Sequence, residues 1–131
     1  MTMSIINTSK ELIGEAVVAT TSLAQAANLH ESDDSLFVDL RLVREVERTG
    51  VIPGALSCPR GLLGLWIAPT SPYHNTIFTE NRAFVFYCDK GWRSALGART
   101  AIEMGLQRVS ILDGGFNAWA SAGGASIPHK W

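Results

Sequence analysis

The chain has 131 residues, 47% of them hydrophobic and 18% charged, with a formal net charge of −1. That length suits one domain, and the apolar content is enough for a core, which excludes a disordered chain. A near-neutral charge without a long basic run argues against an electrostatic nucleic-acid binder, and the longest apolar stretch, residues 62–68, is far too short to span a bilayer.

In chain order, Thr8 and Glu11 form a capping box, so a helix is predicted over about residues 8–18, an extension to a core of about 20–127 within a single domain, 1–131. No basic residue precedes the apolar part of this segment, and Lys10, Glu11 and Glu15 interrupt it, so "LAQA" is not read as a signal-peptide cleavage site. "VVATT" reads as a short strand. Ser22 and Gln25 then make a second capping box, opening the helix "LAQAANLH". "LFVDL" is a buried strand by composition and length, and "VREVERTG" a short helix closed by Gly50. "VIPGALS" is a turn and short strand. Pro59 suits the first turn of the helix "RGLLGLWI", and residues 68–81 form a long loop with two prolines.

"AFVFY", 83–87, is the plainest strand in the chain. A helix follows over 94–104, stopped by Gly105, with Gly97 inside it pointing to close packing on the sheet. "RVSIL" is the last strand and "GFNAWASAG" the closing helix. Strands alternating with helices predict an α/β domain with a mainly parallel sheet.

The chemistry concentrates in "YCDKGWRS". Cys88 stands where a strand ends and a helix is about to start. Backbone N–H groups of the turn and of the helix N-terminus converge there, together with the positive end of the helix dipole. Helix N-termini and nearby cations lower thiol pKa values from about 8.5, and Lys90 and Arg93 are such cations. Asp89 opposes them and is expected to point outward. Gly91 supplies the backbone freedom that a tight anion nest needs. A lone cysteine after an apolar strand is most often a packing residue. The added Lys, Gly and Arg before a helix start favour a nucleophile that needs no imidazole partner.

At this point the chain resembles the rhodanese (sulfurtransferase) family. The resemblance rests on "FVDLR", on "GVIPGA" for Gly-His-Ile-Pro-Gly-Ala, on "CDKGWRS" for Cys-x-x-Gly-x-Arg-Ser, and on "GGFNAW" for Gly-Gly-x-x-x-Trp, in order over residues 20–127. It implies a five-stranded, mainly parallel sheet flanked by helices on both faces. It implies no cofactor, and a sulfane sulfur carried as a persulfide on Cys88. The sulfur comes from thiosulfate or a similar small anionic donor and goes to cyanide, a thiol or a protein acceptor. Asp89, Lys90, Gly91, Trp92, Arg93 and Ser94 would cradle the persulfide anion, with Lys90 and Arg93 attracting the donor. Asp39 and Arg41 would support the loop, against the plainer reading of an exposed strand-end ion pair worth under about 1 kcal/mol. The signature histidine is replaced by Val51.

Two other classes compete. A catalytically idle binding module would have no need of the nucleophile. A phosphatase or arsenate reductase of the same fold would use Cys-x5-Arg, whereas Cys88 to Arg93 is Cys-x4-Arg, and that comparison is a fold-level analogy. Cys58 reads as a small core residue, as do Trp66 and Trp119 by context. Arg44, Glu45, Glu47 and Arg48 read as a solvated helix face, and no cluster has metal-ligand spacing. Two cysteines are too few for a disulfide framework, so a reducing cytoplasm is the expected setting, without nucleic-acid or membrane partners.

Overall fold

The computed structural model describes residues 18–129. The Thr8–Glu11 cap and the helix expected from it lie outside the described residues. Strands and helices alternate as β1 (Ala19–Thr21), α1 (Leu23–His30), β2 (Ser35–Asp39), α2 (Val43–Thr49), β3 (Leu56–Ser57), α3 (Leu63–Ile67), β4 (Ala83–Tyr87), α4 (Trp92–Glu103), β5 (Val109–Leu112) and α5 (Gly115–Ser121). The strands are all parallel, in the order β1-β5-β4-β2-β3.

Both sheet faces are covered, as a parallel sheet requires. Side chains alternate across the strands. Leu36, Val38, Phe84 and Phe86 pack with Leu63, Ala95 and Ala98 on one face. Phe37, Val85 and Tyr87 pack with Ala26, Phe116 and Trp119 on the other. The near-continuous apolar strands follow from that double burial.

Local signals act where expected. Ser22 Oγ accepts the Gln25 N–H and Gln25 Oε1 accepts the Ser22 N–H, both at 3.1 Å, closing the capping box of α1. A Cβ at Gly97 would come within 2.4 Å of Leu40 Cδ1, so glycine lets α4 ride directly on the residue that follows β2. One placement shifts. Pro59 stands just ahead of the 3-10 turn Arg60–Leu62, with an extended ψ of 140°. The N–H groups of Cys58 and Arg60 are bonded to Asp39 O (2.9 Å) and Leu40 O (3.1 Å), so the chain follows the sheet edge before it can turn into a helix. The long loop contains a further 3-10 turn, Thr76–Thr79, whose Phe78 stacks on Phe84 at 5.7 Å. No helix among the described residues is long and apolar enough to cross a membrane.

Candidate active site

In a parallel sheet all carboxyl ends share one edge. Here the connection after β2 leads one way along the sheet, to β3, and that after β4 leads the other way, to β5. Such a reversal opens a crevice beyond the strand ends. Cys88 follows β4 at that crevice, and Leu40, which follows β2, is tied to it by a 2.8 Å bond from Leu40 N to Tyr87 O.

The thiol is fully buried. Gly91 N–H donates to Cys88 Sγ at 3.0 Å, and Sγ lies 3.6 Å from Ser94 Oγ, which donates in turn to Gly91 O at 3.1 Å. Gly91 takes φ +134°, in the left-handed region that favours glycine, and this turns its N–H back onto the sulfur. α4 starts at the next residue, and the N–H groups of a helix's first turn have no acceptor within the helix. The sulfur is therefore held at the positive end of a twelve-residue helix.

The loop is also gripped from below. Phe116 N–H donates to Cys88 O (2.8 Å) and Asn117 N–H to Asp89 O (3.1 Å), so the first turn of α5 is spent on the two carbonyls beside the thiol. Gly115, at φ +65°, lets them approach, since a Cβ there would lie 2.6 Å from Cys88 O and 2.7 Å from Asp89 O. Gly115→Ala is expected to displace the loop and cost about 2–4 kcal/mol through overpacking and left-handed strain. A urea titration checks the stability, and Cys88 alkylation kinetics should change with it. An unchanged midpoint and rate would contradict the clamp.

Asp39 and Arg41 are not an exposed ion pair. Arg41 is 2% exposed and Asp39 fully buried. Arg41 Nη2 bonds Asp39 Oδ2 and Gly50 O, each at 2.7 Å, Nε bonds Asp39 Oδ1 at 3.0 Å, and Nη1 bonds Thr49 Oγ1 at 2.7 Å. Its guanidinium carbon lies 4.2 Å from the centre of the Phe116 ring. Tyr87 stacks on the same Phe116, and its hydroxyl accepts Ile52 N–H at 3.2 Å. Burial foremost, then the Asp39 charge, pushes the Tyr87 phenol well above its usual range. The pair thus braces Phe116, the residue whose N–H holds the Cys88 carbonyl.

Arg93 does not face the thiol as a free cation. Its two Nη atoms grip both carboxylate oxygens of Glu45 on α2, with Nη2–Oε2 at 2.8 Å, and Nη2 also reaches Asp89 Oδ1 at 3.0 Å. Asp89, expected to point outward, is turned to Arg93. Glu45, read from sequence as part of a solvated face, lies at the rim, its Oε1 also accepting the Leu42 N–H at 2.9 Å. The hydrogen bond from Arg93, foremost, holds the Glu45 carboxyl at about 2 despite partial burial. Because this value lies below the ordinary 4.5, the stability Glu45 contributes is fully present above that pH and is lost as pH falls toward 2. The stability gap between wild type and Glu45→Gln, followed by urea midpoints, should narrow downward from pH 4.5. A gap independent of pH would contradict the pairing.

Lys90 is exposed, and Trp92 is 42% exposed at the head of α4. Cys58 is buried in the core with Leu63 and Ala95, and burial pushes its thiol up to about 12. Glu45, Gly115 and Phe116 are the contributions that sequence reasoning missed. The Gly-Gly pair ahead of an apolar helix was the one available signal.

The sequence profile of the Rhodanese-like domain matches residues 22–122. A sulfurtransferase from Allochromatium vinosum is 33% identical over 106 residues, which cover 81% of this chain and 89% of that protein. Among solved structures, a protein of unknown function from Rhodopseudomonas palustris, described as a possible tyrosine phosphatase, is 45% identical with a TM-score of 0.86, over 97% of this chain and 99% of its own. The human single-domain sulfurtransferase is 22% identical with a TM-score of 0.65, over 79% of this chain and 96% of its own, a likeness of fold.

Proposed function

The chain belongs to the rhodanese-like domain family, and we propose that it is a sulfurtransferase working through a persulfide on Cys88, in a reducing cytoplasm. The Cys88 thiolate attacks the outer sulfur of thiosulfate or a similar donor. A new S–S bond forms, and the bond to the leaving sulfite breaks with its electron pair. Cyanide or an acceptor thiol then attacks the outer sulfur of the persulfide and returns the thiolate. The observation that carries this reading is the thiol beneath the Gly91 N–H at the start of α4, a place suited to a terminal sulfur anion. Asp89 to Ser94 form the wall of the cradle. Asp39 and Arg41 position it through Phe116.

The test is formation of thiocyanate from a sulfane donor and cyanide. Saturable, ping-pong turnover is expected. A rate no greater than that of an equal concentration of a free thiol would overturn the reading. The description of the Rhodopseudomonas palustris protein favours a second reading, a phosphatase. Against it stand the Cys-x4-Arg spacing and the engagement of Arg93 by Glu45 and Asp89, which withholds that guanidinium from a phosphate. Turnover of p-nitrophenyl phosphate that depends on Cys88, without sulfur uptake, would favour the phosphatase.

A further inference from the structure

We propose that Glu45 sets donor specificity. By neutralising Arg93 it makes the site prefer an organic sulfane donor of at most one negative charge over a small dianion such as thiosulfate. This rests on the sulfurtransferase reading above and narrows its substrate class.

The first support is electrostatic. A thiolate and a dianion repel, so a site for thiosulfate needs surplus positive charge at its mouth. Here two cations face two carboxylates. Arg93 is bonded to Glu45 through both Nη atoms and to Asp89 through one, leaving Lys90 without a carboxylate partner among the described residues. The Arg93 charge is held up mainly by its hydrogen bond to Glu45, with the Cys88 sulfur the weakest contributor. Arg41 is buried against Phe116 and bonded to Asp39, so it cannot swing out as a substitute.

The second support is the rim itself. Leu42, whose N–H is bonded to the same Glu45 carboxylate, is 61% exposed. Trp92, next to Arg93, is also exposed. Both large side chains, on residues bonded or adjacent in sequence to this ion pair, are exposed and offer more contact area to an organic group than to a hydrated sulfonate.

Thiosulfate and benzenethiosulfonate separate these properties. Each gives up the same sulfur. The Cys88 thiolate bonds to the outer sulfur, the S–S bond of the donor breaks, and the electron pair leaves on sulfite or on benzenesulfinate. The rate of sulfur uptake by Cys88, followed by intact mass, is measured for both donors at several ionic strengths, in wild type and in Glu45→Gln.

Wild type is expected to react at least about tenfold faster with benzenethiosulfonate, and its thiosulfate rate should stay flat or rise with added salt. Glu45→Gln should speed thiosulfate about tenfold and benzenethiosulfonate no more than about threefold, with the difference shrinking as salt screens the charges. If Glu45 merely braced the loop, its loss would slow both donors alike, and the inference would fall. A wild-type thiosulfate rate that drops several-fold between roughly 20 and 500 mM salt would mark an attractive mouth and overturn it without any variant. Wild type taking sulfur from neither donor would instead remove the sulfurtransferase reading.

Discussion

Cys88→Ser is expected to lower sulfur transfer by at least about a thousandfold while changing stability by less than about 1 kcal/mol. The two effects separate because the site holds the atom by polar contacts that oxygen can also use. A serine Oγ could accept the Gly91 N–H now bonded to Sγ and face Ser94 Oγ, so no buried polar group would be orphaned. A hydroxyl cannot carry a sulfane sulfur. Cys58 offers no bypass, since burial pushes its thiol up to about 12 and keeps it protonated at neutral pH. Thiocyanate formation measures the first effect and a urea midpoint the second. Retained turnover would place the chemistry elsewhere.

Arg41→Met should have the largest effect on stability, about 3–5 kcal/mol, because it leaves Asp39 fully buried and without its countercharge. The backbone N–H of residue 41, now 3.0 Å from Asp39 Oδ1, would still bond that carboxylate but brings no countercharge. Methionine keeps the apolar stem, so the loss reports the guanidinium and not a cavity. A typical domain is stable by about 5–15 kcal/mol, so the variant should stand near its folding threshold. The loop should loosen as well, because the guanidinium packs 4.2 Å from the ring of Phe116, whose N–H fixes the Cys88 carbonyl. A urea midpoint within error of wild type would show that the pair contributes nothing net.

Much of this fold is written in local sequence. "AFVFY" forms β4 over the expected residues, since a five-residue apolar run between polar segments has few other places to go. The Ser22–Gln25 box and the Gly50 stop act on helix ends within a few residues of their own positions, so they are legible locally. The strand-cysteine-glycine-helix order around Cys88 likewise places the thiol under a helix N-terminus without reference to the rest of the chain.

Contacts across long separations were hidden. Glu45 and Arg93 are 48 positions apart, and on its own helix Glu45 looks like any surface carboxylate. Arg41 and Asp39 read as a strand-end pair because burial depends on Phe116, Tyr87 and Gly50 closing over them. Gly115 reads as a helix start, and only the folded chain places two carbonyls of the Cys88 loop where its Cβ would be. In each case the residue is visible in the sequence, while the groups that close over it or bond it include some from distant parts of the chain.

Everything proposed for this site depends on Cys88 accepting and releasing a sulfane sulfur. Intact mass of the reduced protein after incubation with thiosulfate or benzenethiosulfonate measures it directly. A gain of about 32 Da, one sulfur atom, is expected, lost on adding cyanide and absent in Cys88→Ser. An unchanged mass with a demonstrably reduced thiol, or a gain that persists in Cys88→Ser, would contradict it.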